Sequence, residues 1–501
     1  MQRCIYLLCL LAPALVLARC SSSNSSNESS VDASSNMDAS DGNPNAKTNV
    51  VFVLTDDLSW NLVQYMPQVR QLQREGTTFS HYFVTDSLCC PSRSSIFTGK
   101  FPHNTGVVAN SGDAGGYATF ERLGNPSQTF ATTLSAAGYK TSMMGKYLNG
   151  YPKNNAKDPG WSTWKVSDNG YPGYDYWINE DGTVKPYGDA GSEYFTDVLS
   201  GLATDFIRTT NTSSPFFLET ASFAPHGPYT PAPRDLGTFN VKLPRTGAFD
   251  KANTNPPSWL AKRPPLTQAQ IDKLDHDFNL RVEAVQAVDD MIAALRKTLV
   301  DTGLDKSTYF IFSSDNGYHM GEHMMLYGKE TAFDTDINVP LVVVGPGVPA
   351  GATVHDMVEN IDLCPTFAEI AGTAPPSTAD GHSLMPFLRG ETVSDWRNVA
   401  LVEHEGAQGV PYSLDDPDRT PADAKNGVSP VDTYEAIRMP DSVYVEYKTG
   451  ETEYYDLKTD PDEMTNTAKS LSAAQVKAFH DRIDAIKNCH GLQPCWAAQK
   501  Q

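Results

Sequence analysis

Residues 49–57, NVVFVLTDD, decide the fold, because an unbroken β-branched and apolar run ends here in two adjacent carboxylates. A continuous run of this kind is typical of a parallel strand buried on both faces, whereas a half-exposed strand would alternate apolar and polar residues. Four further segments have the same strand-like character: Thr141–Met144, Phe216–Thr220, Tyr309–Ser313 and Pro340–Val344. Helix-length segments separate them, which predicts an α/β sandwich around a large, mixed, mostly parallel sheet.

Polar motifs follow two of these predicted strands. Asp56 and Asp57 end the first strand, and Asp315 and Asn316 follow the strand-like run YFIFSS at 309–314. An aspartate in such a place often only caps a helix. Ligands of parallel sheets, however, gather outside the carboxyl ends of the strands. Two strand ends that both offer oxygen ligands favour a hard cation, Ca²⁺ or Mg²⁺, over zinc.

A second stretch, CCPSRSSIFTG at residues 89–99, places a cysteine, a proline, a hydroxyl and an obligate cation within five residues. Adjacent cysteines can be disulfide partners, and Pro91 with Ser92 can simply begin a helix. The run nevertheless resembles the signature of the type I sulfatases, Cys-x-Pro-Ser-Arg-x-x-x-Leu-Thr-Gly, with Phe97 in place of the leucine. The resemblance implies that a formylglycine-generating enzyme oxidises Cys89 to formylglycine, the nucleophile of a sulfate ester hydrolase.

The same resemblance assigns the rest of the site and the fold. It implies an alkaline-phosphatase-like α/β sandwich with a smaller C-terminal α+β domain that carries a short antiparallel sheet. Ca²⁺ is the expected metal, with Mg²⁺ as the alternative, and the ligands implied are Asp56, Asp57, Cys89, Asp315 and Asn316. The catalytic residues implied are Cys89, Arg93, Lys146, His226 and Lys329. Of these, Lys146, His226 and Lys329 are expected to contact the sulfate. Arg93, whose charge is permanent, is expected to hold the formylglycine oxygens.

Position 148 departs from the pattern of many arylsulfatases, which carry a histidine two residues after the lysine that corresponds to Lys146. Here Leu148 occupies that position and Asn149 follows it. The segments GKYLN (145–149) and DTDINVPL (334–341) instead resemble the N-acetylglucosamine-6-sulfatase branch. The expected substrate is therefore an aryl sulfate or a carbohydrate sulfate such as glucosamine 6-sulfate. The base for sulfate release stays open among His226, Asn149 and an unrecognised group.

The sequence is also compatible with two functions other than that of a sulfatase. The first is a phosphodiesterase or phosphonate monoester hydrolase of the same superfamily, which would share the metal carboxylates. The second is a non-catalytic protein that binds sulfated glycans, which would require Cys89 to stay unmodified.

The bulk properties of the chain limit its partners and its location. A formal charge of −21 over 501 residues argues against a nucleic acid partner, so sulfate recognition must come from local cations. Residues 1–18 resemble a secretory signal peptide, and 19–48 are a Ser- and Asn-rich segment expected to be a disordered tether. The protein is thus expected to be secreted or extracytoplasmic and to have no transmembrane span. A lipid anchor at Cys20 is the minor alternative. Glycosylation sequons begin at Asn24, Asn27 and Asn211.

The pattern changes near Thr392, which divides the chain into a predicted catalytic domain at 49–391 and a C-terminal subdomain at 392–501. In the subdomain, a helix is predicted at Ala473–Ile486, after short strands at Val399–Val402, Tyr434–Arg438, Val443–Tyr447 and Glu453–Asp456. In the catalytic domain, 266–299 is predicted as one long helix capped by Thr267. Cys489 and Cys495 are expected to close a small disulfide loop, and Cys364 is expected to be a buried thiol.

Overall fold

The computed structural model describes residues 48–210, 213–406 and 430–500. The predicted signal peptide, the tether as far as residue 47 and all three sequon asparagines lie outside these residues. The strands are β1 (Asn49–Thr55), β2 (Thr77–Phe79), β3 (Tyr82–Phe83), β4 (Lys140–Lys146), β5 (Thr163–Ser167), β6 (Trp177–Glu180), β7 (Thr183–Pro186), β8 (Phe216–Ala221), β9 (Thr308–Ser314), β10 (His319–Met320), β11 (Tyr327–Gly328), β12 (Leu341–Val344), β13 (Ala352–Val354), β14 (Val358–Glu359), β15 (Ala400–His404), β16 (Tyr434–Met439), β17 (Ser442–Tyr447) and β18 (Thr452–Asp456). The helices are α1 (Trp60–Val63), α2 (Pro67–Glu75), α3 (Cys89–Thr98), α4 (Pro102–Thr105), α5 (Gly116–Arg122), α6 (Phe130–Ala136), α7 (Phe195–Thr209), α8 (Gln268–Asp301), α9 (Asp334–Ile337), α10 (Leu363–Ile370), α11 (Met385–Leu388), α12 (Ala473–Lys487) and α13 (Leu492–Gln499).

One large sheet organises the catalytic part of the chain. Within the described ranges it has ten strands, in the order β13-β2-β12-β9-β1-β8-β4-β5-β6-β7. Its central strands, β9-β1-β8-β4-β5, all pair in parallel, whereas β12 and β6 join their neighbours β9 and β5 in antiparallel fashion. The predicted mixed, mostly parallel sheet is therefore confirmed. Its central carboxyl ends all lie at one edge.

The position of β1 in the middle of this sheet explains why its sequence is apolar without alternation. Val50, Phe52 and Leu54 belong to one apolar cluster, and Val51 and Val53 belong to another. Since side chains of a strand alternate between its two faces, β1 packs against both layers of the sandwich. Full burial of such a side chain contributes about 1.5–3 kcal/mol relative to exposure, so β1 anchors both layers.

Two helices that cover one face also border the site. α7 and α8 both contribute to the cluster that contains Val51 and Val53. The predicted cap of α8 is confirmed, because the Thr267 side chain accepts from the N–H of Gln270 while the Gln270 side chain accepts from the N–H of Thr267. Within the described part of the chain, no helix combines the length and the apolar character needed to cross a membrane.

The C-terminal part is built around a smaller sheet. Its four antiparallel strands follow the order β15-β16-β17-β18. Ile483 and Ile486 on α12 pack against this sheet in an apolar cluster with Leu401 and Ile437. Beyond α12, Cys489 and Cys495 are joined by a disulfide with their Cα atoms 5.0 Å apart. The predicted antiparallel strands and the predicted helix are thus present.

The sequence patterns did not reveal three strands at one end of the large sheet. β5, β6 and β7 extend the sheet beyond β4, and the loop between β5 and β6 contains the segment NGYPG at 169–173. β7 is largely exposed and polar, and β6 has only four residues. Such short strands lack the apolar run that marks a buried strand, so turn signals dominate their sequence.

Glu219 is a buried acid in the middle of β8. Both of its carboxylate oxygens are buried and have no hydrogen-bond partner among the described residues. Burial raises the pKa of Glu219 to about 8, although the positive charge of Arg93 partly opposes this effect. The folded protein therefore keeps this proton at pH values where an unfolded chain, with a carboxyl pKa near 4.5, has lost it. The resulting contribution of Glu219 to the free energy of unfolding is fully present below the unfolded pKa. It is lost as the pH rises towards about 8.

We expect the Glu219→Gln substitution to flatten this pH dependence. The amide carries no charge at any pH, so the free energy of unfolding should fall less between about pH 5 and about pH 8 than in the wild type, by a few kcal/mol. Denaturant unfolding at several pH values measures this difference. The exposed Glu121→Gln variant should keep the wild-type pH dependence. An unchanged pH dependence in Glu219→Gln would contradict the assignment.

Candidate active site

Four strand ends meet at one edge of the large sheet and carry most of the predicted site residues. Asp56 and Asp57 follow β1, Asp315 and Asn316 follow β9, Lys146 ends β4, and His226 comes shortly after β8. All six residues are buried. Because β9, β1, β8 and β4 are parallel neighbours, their carboxyl ends gather side chains that are far apart in the chain.

The close approach of β4 to β8 places Lys146. The preceding Gly145 has a φ of 98°, and a Cβ atom there would lie 2.0 Å from the carbonyl oxygen of Ala221. A larger residue would clash and would also have to adopt a backbone conformation that L-residues avoid. Glycine before the lysine therefore fixes where the ammonium group enters the site.

The turn after β1 is held by hydrogen bonds made by Asp57. Its φ of 61° lies in the left-handed region, which costs a non-glycine residue about 1–2 kcal/mol. Its N–H donates to Asp315 Oδ1 at 3.2 Å, and its Oδ1 accepts from Asn316 Nδ2 at 2.6 Å. Its carbonyl oxygen accepts from Arg281 Nη2 at 2.5 Å. The two predicted metal-ligand pairs thus support each other across β1 and β9.

Cys89 is the first residue of α3, at the positive end of a ten-residue helix. Its thiol donates to Asp56 Oδ1 at 3.3 Å, and its Sγ accepts from Lys329 Nζ at 2.9 Å. Burial, and then the charge of Asp56, raise the pKa of the Cys89 thiol well above its usual value. Position 89 therefore lies at the centre of the site, but the unmodified cysteine is a neutral thiol.

Cys90 lies in the apolar core of the protein. Successive helical residues are rotated by about 100° from each other, and Cys90 is fully buried in an apolar cluster with Phe97. Cys89, Cys90 and Cys364 are free and buried, so the adjacent cysteines are not disulfide partners. Pro91 and Ser92 do lie in the first turn of a helix, and that helix also positions the site.

Ser92 and Arg93 tie α3 to the pair after β9. Arg93 Nε donates to Asp315 Oδ2 at 2.7 Å, and Nη1 donates to the carbonyl oxygen of Lys146 at 2.9 Å. Ser92 Oγ donates to the carbonyl oxygen of Asp315. The third guanidinium nitrogen, Nη2, is buried and has no hydrogen-bond partner among the described residues. One donor of Arg93 is therefore left for a group held in the site.

Three buried ion pairs balance the charges of the site. They are Lys146 Nζ–Asp56 Oδ2 at 2.5 Å, Lys329 Nζ–Asp57 Oδ1 at 2.5 Å and Arg93 Nε–Asp315 Oδ2 at 2.7 Å. Burial opposes the charged forms, but the partner charges outweigh it. They lower the pKa of Asp56 well below its usual range and raise that of Lys146 well above it. Loss of one member would leave an uncompensated buried charge, which costs about 3–5 kcal/mol.

His226 faces the same cluster from the loop after β8. Its Nδ1 donates to the carbonyl oxygen of Gly227 at 2.9 Å, and this contact assigns the ring proton to Nδ1. Nε2 lies 3.5 Å from Asp57 Oδ2. Pro225 and Pro228 restrict the backbone on both sides. The imidazole is thus held with Nε2 directed into the site.

The donor atoms at this edge fit a divalent cation. Ligand atoms of Asp56, Asp57, Cys89 and His226 all lie within 4.8 Å of one another. Asn316 donates its amide N–H to Asp57, whereas its Oδ1 is buried and has no partner in the described ranges. A buried acceptor without a partner beside carboxylates is one that a bound cation would satisfy. A donor set dominated by carboxylate and amide oxygens suits Ca²⁺ or Mg²⁺.

The structure also identifies site residues that the sequence patterns did not. Arg281 on α8 is buried, supports the Asp57 turn and lies 4.3 Å from the ring centroid of Tyr318. The sequence did offer one indication of its role: Arg281 is a charged residue inside an apolar stripe of the helix, since Phe278 and Val285 lie on the same face. Tyr171 also borders the site, without any such pattern around it. Leu148 is buried in an apolar cluster, so the usual position of the second histidine carries no polar group.

Comparison with known proteins identifies the family of the chain. Residues 48–373 match the sulfatase family model. The human N-acetylglucosamine-6-sulfatase is 35% identical over 478 residues, which cover 89% of this chain and 85% of the human protein. The N-acetylglucosamine-6-O-sulfatase of Bacteroides thetaiotaomicron is 28% identical, with 84% of this chain and 82% of that protein covered. A solved structure of a protein in complex with its substrate D-glucosamine-2-N,6-O-disulfate matches with a TM-score of 0.72 at 24% identity, covering 87% of this chain and 97% of that one.

The fold and the family match define a sulfuric ester hydrolase with an alkaline-phosphatase-like α/β architecture, as predicted. The chain belongs to the type I sulfatase family, in the branch similar to the N-acetylglucosamine-6-sulfatases.

Proposed function

We propose that the protein removes the 6-O-sulfate group from glucosamine units of sulfated glycans. The names of the human and Bacteroides relatives support this substrate class. The structural neighbour solved with a glucosamine disulfate supports it further. The negative net charge of the whole chain is compatible with this function because the cations that would bind the sulfate are concentrated in the site.

The observation that carries the proposal is the position of Cys89 between Asp56 and Lys329 at the N-terminus of α3. Burial raises the pKa of the Cys89 thiol well above its usual value, and a neutral thiol is a poor nucleophile, which supports a modified residue at this position. Formylglycine at position 89 would supply, as its hydrate, one hydroxyl for attack on sulfur and a second whose deprotonation releases sulfate.

The cations of the site would bind the sulfate and stabilise the charge that builds up on its oxygens. Lys329 Nζ is 2.9 Å from Cys89 Sγ, and Lys146 is ion-paired with the same Asp56 that contacts the thiol. We assign protonation of the departing alcohol to Lys329. The Nη2 donor of Arg93 would hold an oxygen of the modified residue.

His226 is the favoured proton acceptor for sulfate release. Its Nδ1–H is engaged by the Gly227 carbonyl, so Nε2 is the ring nitrogen that faces the site, 3.5 Å from Asp57 Oδ2, and the one that would take up a proton there. This arrangement supplies a base where Leu148 provides none. A cation held by Asp56, Asp57, Asp315 and Asn316 would act as a Lewis acid, and we propose Ca²⁺ with Mg²⁺ as the alternative.

Maturation and location form part of the same proposal. We propose that residues 1–18 are removed on export, that a formylglycine-generating enzyme modifies Cys89, and that the enzyme acts outside the cytoplasm. We further propose the division into a catalytic domain at 49–391 and a C-terminal subdomain at 392–501.

A panel of esters tests the substrate proposal. We expect kcat/KM for N-acetylglucosamine 6-sulfate to exceed that for the 3-sulfate isomer by at least about tenfold, because the leaving oxygen must meet Lys329 while the sulfate stays bound by the same cations. Hydrolysis of p-nitrophenyl sulfate should likewise exceed that of p-nitrophenyl phosphate. Sulfate release measured by ion chromatography gives the rates. A preference for the phosphate or a phosphonate ester would instead support the phosphonate hydrolase alternative.

A further inference from the structure

Tyr171 lies in the loop between β5 and β6 and packs directly against two residues of the site. Its ring centroid is 4.7 Å from that of His226, and Lys146 Nζ lies 4.9 Å from the ring centroid. On its other side the ring contacts Phe223, with the centroids 4.6 Å apart. Tyr171 therefore contacts Lys146 at the end of β4 and His226 in the loop after β8, two of the residues that are proposed to bind sulfate.

The phenol hydroxyl is oriented by the residue after Leu148. Asn149 Nδ2 donates to the Tyr171 hydroxyl oxygen at 3.2 Å. With its oxygen engaged in this way, the hydroxyl can donate its own proton elsewhere. Within the described ranges, the hydrogen bond of this hydroxyl is the one that it accepts from Asn149, and it donates none. The phenol is thus an oriented hydrogen-bond donor at the edge of the site.

A second contact fixes the two loops relative to each other. The N–H of Gly150 donates to the carboxylate of Asp168 at 3.1 Å, which links the turn containing Asn149 to the start of the Tyr171 loop. Asn149 Oδ1 is itself buried and has no hydrogen-bond partner in the part of the chain that the structure describes. A polar pair with one oriented donor and one unsatisfied acceptor indicates a place where a ligand completes the hydrogen bonding.

Tyr171, the donor of this pair, borders a pocket that His226 also lines. The residues that line the pocket include Gly170, Tyr171, Phe223, Ala224 and His226. Tyr194 also lines this pocket, but its hydroxyl already donates to the carbonyl oxygen of Thr230 at 2.8 Å, so Tyr171 is the lining tyrosine whose proton is not committed in this way. An aromatic ring with a polar tip suits a sugar ring that carries a sulfate group.

We propose that the Tyr171 phenol donates a hydrogen bond to the sulfate group of the substrate, as a neutral third contact beside Lys146 and His226. This proposal rests on the sulfatase function proposed above. A neutral donor suits a sulfate monoester, which carries a single negative charge, because it adds a contact without adding charge to an already balanced cluster.

The role of Tyr171 is binding and not proton abstraction. Burial raises the pKa of its phenol well above the usual value, with the charge of Lys146 acting in the opposite direction. The proton therefore stays on the hydroxyl at neutral pH, and the group cannot supply the base for sulfate release. A binding role also explains the contact with Asn149, whose side chain holds the phenol in place.

The Tyr171→Phe substitution isolates the hydroxyl, because phenylalanine keeps the ring contacts with His226, Phe223 and Lys146. We expect kcat/KM for p-nitrophenyl sulfate to fall about 10- to 100-fold, as for loss of a hydrogen bond to a charged group. Inorganic sulfate, titrated calorimetrically or as a competitive inhibitor, should bind about tenfold or more weakly. The melting temperature should stay within about 2 °C of the wild type.

Tyr174→Phe is the matched control from the same loop. The Tyr174 ring packs on Tyr194 with the centroids 5.6 Å apart, and its hydroxyl makes no hydrogen bond in the described ranges. This variant should keep turnover and sulfate affinity within about twofold of the wild type. Equal losses in both tyrosine variants would mean that the loop acts only through packing, and would overturn the proposal.

The two readouts separate this proposal from the function on which it rests. If Tyr171→Phe keeps both wild-type turnover and wild-type sulfate affinity, the Tyr171 contact is refuted while the sulfatase function stands. If the wild type hydrolyses no sulfate ester but binds inorganic sulfate about tenfold better than Tyr171→Phe, the contact is supported and the proposed function fails.

Discussion

Replacement of Cys89 by alanine is expected to abolish sulfate ester hydrolysis, with kcat/KM falling by at least about 10³-fold. The Cys89 side chain lies at the first position of α3, between Asp56 and Lys329, and no other nucleophilic side chain of the described residues occupies that position. Alanine removes the reactive atom and every product of its oxidation. The small volume change and the removal of a thiol that burial keeps neutral should leave the fold intact.

Cys90→Ala is the matched control for this experiment. Cys90 is buried in the apolar cluster one helical position away, and burial raises the pKa of its thiol to about 12. The variant should lose some stability from the small cavity but keep its activity within a few fold of the wild type. Melting curves and circular dichroism show whether both variants are folded.

Mass spectrometry of the peptide that contains Cys89 completes the test. In active wild-type protein we expect that peptide to be lighter than its unmodified form by the mass difference between cysteine and formylglycine. Cys90→Ala should show the same modification, and Cys89→Ala should show none. An active protein with an unmodified Cys89 thiol, or full activity in Cys89→Ala, would refute the proposed nucleophile.

Much of the site could be predicted because it depends on strand ends. The apolar run at 49–54 marks a central strand, and the carboxylates after it must then lie at the carboxyl edge of the sheet. The same reasoning places Asp315 after β9 and Lys146 at the end of β4. These positions follow from local sequence and from the geometry of a parallel sheet, so no knowledge of distant contacts is needed.

Residues held by distant contacts could not be predicted in this way. Tyr171 reaches His226 and Lys146 only because β5 and β6 extend the sheet, and those short strands carry weak signals. Arg281 is a charge inside the apolar stripe of α8, but the sequence does not reveal its partner, because its contact with Asp57 spans more than two hundred residues. The tautomer of His226 likewise depends on a carbonyl position that only the folded loop defines.

Asp57→Asn is expected to abolish both cation binding and catalysis, with a loss of at least about 10³-fold in kcat/KM. Asp57 Oδ1 accepts hydrogen bonds from Asn316 Nδ2 and Lys329 Nζ. An amide in its place removes one negative charge from the ligand set. It also leaves Lys329 in a site with three cations and only two carboxylates. A hard divalent cation binds such a depleted set weakly, because its affinity depends on the number of charged oxygen ligands.

Thermal unfolding with chelator and with added Ca²⁺ measures this effect without relying on activity. A cation present at about 100 times its Kd stabilises the folded wild type by about 2.7 kcal/mol, so chelation should lower its melting temperature and Ca²⁺ should restore it. Asp57→Asn should show no such response.

Asp289→Asn is the matched control, because Asp289 is a buried aspartate whose carboxylate accepts from the N–H groups of Gln68 and Val69 at the start of α2. That variant should lose about 1 kcal/mol of stability but keep the full response to Ca²⁺. A normal Ca²⁺ response in Asp57→Asn would exclude Asp57 as a ligand, and restoration of the wild type by Mg²⁺ alone would assign the site to that ion.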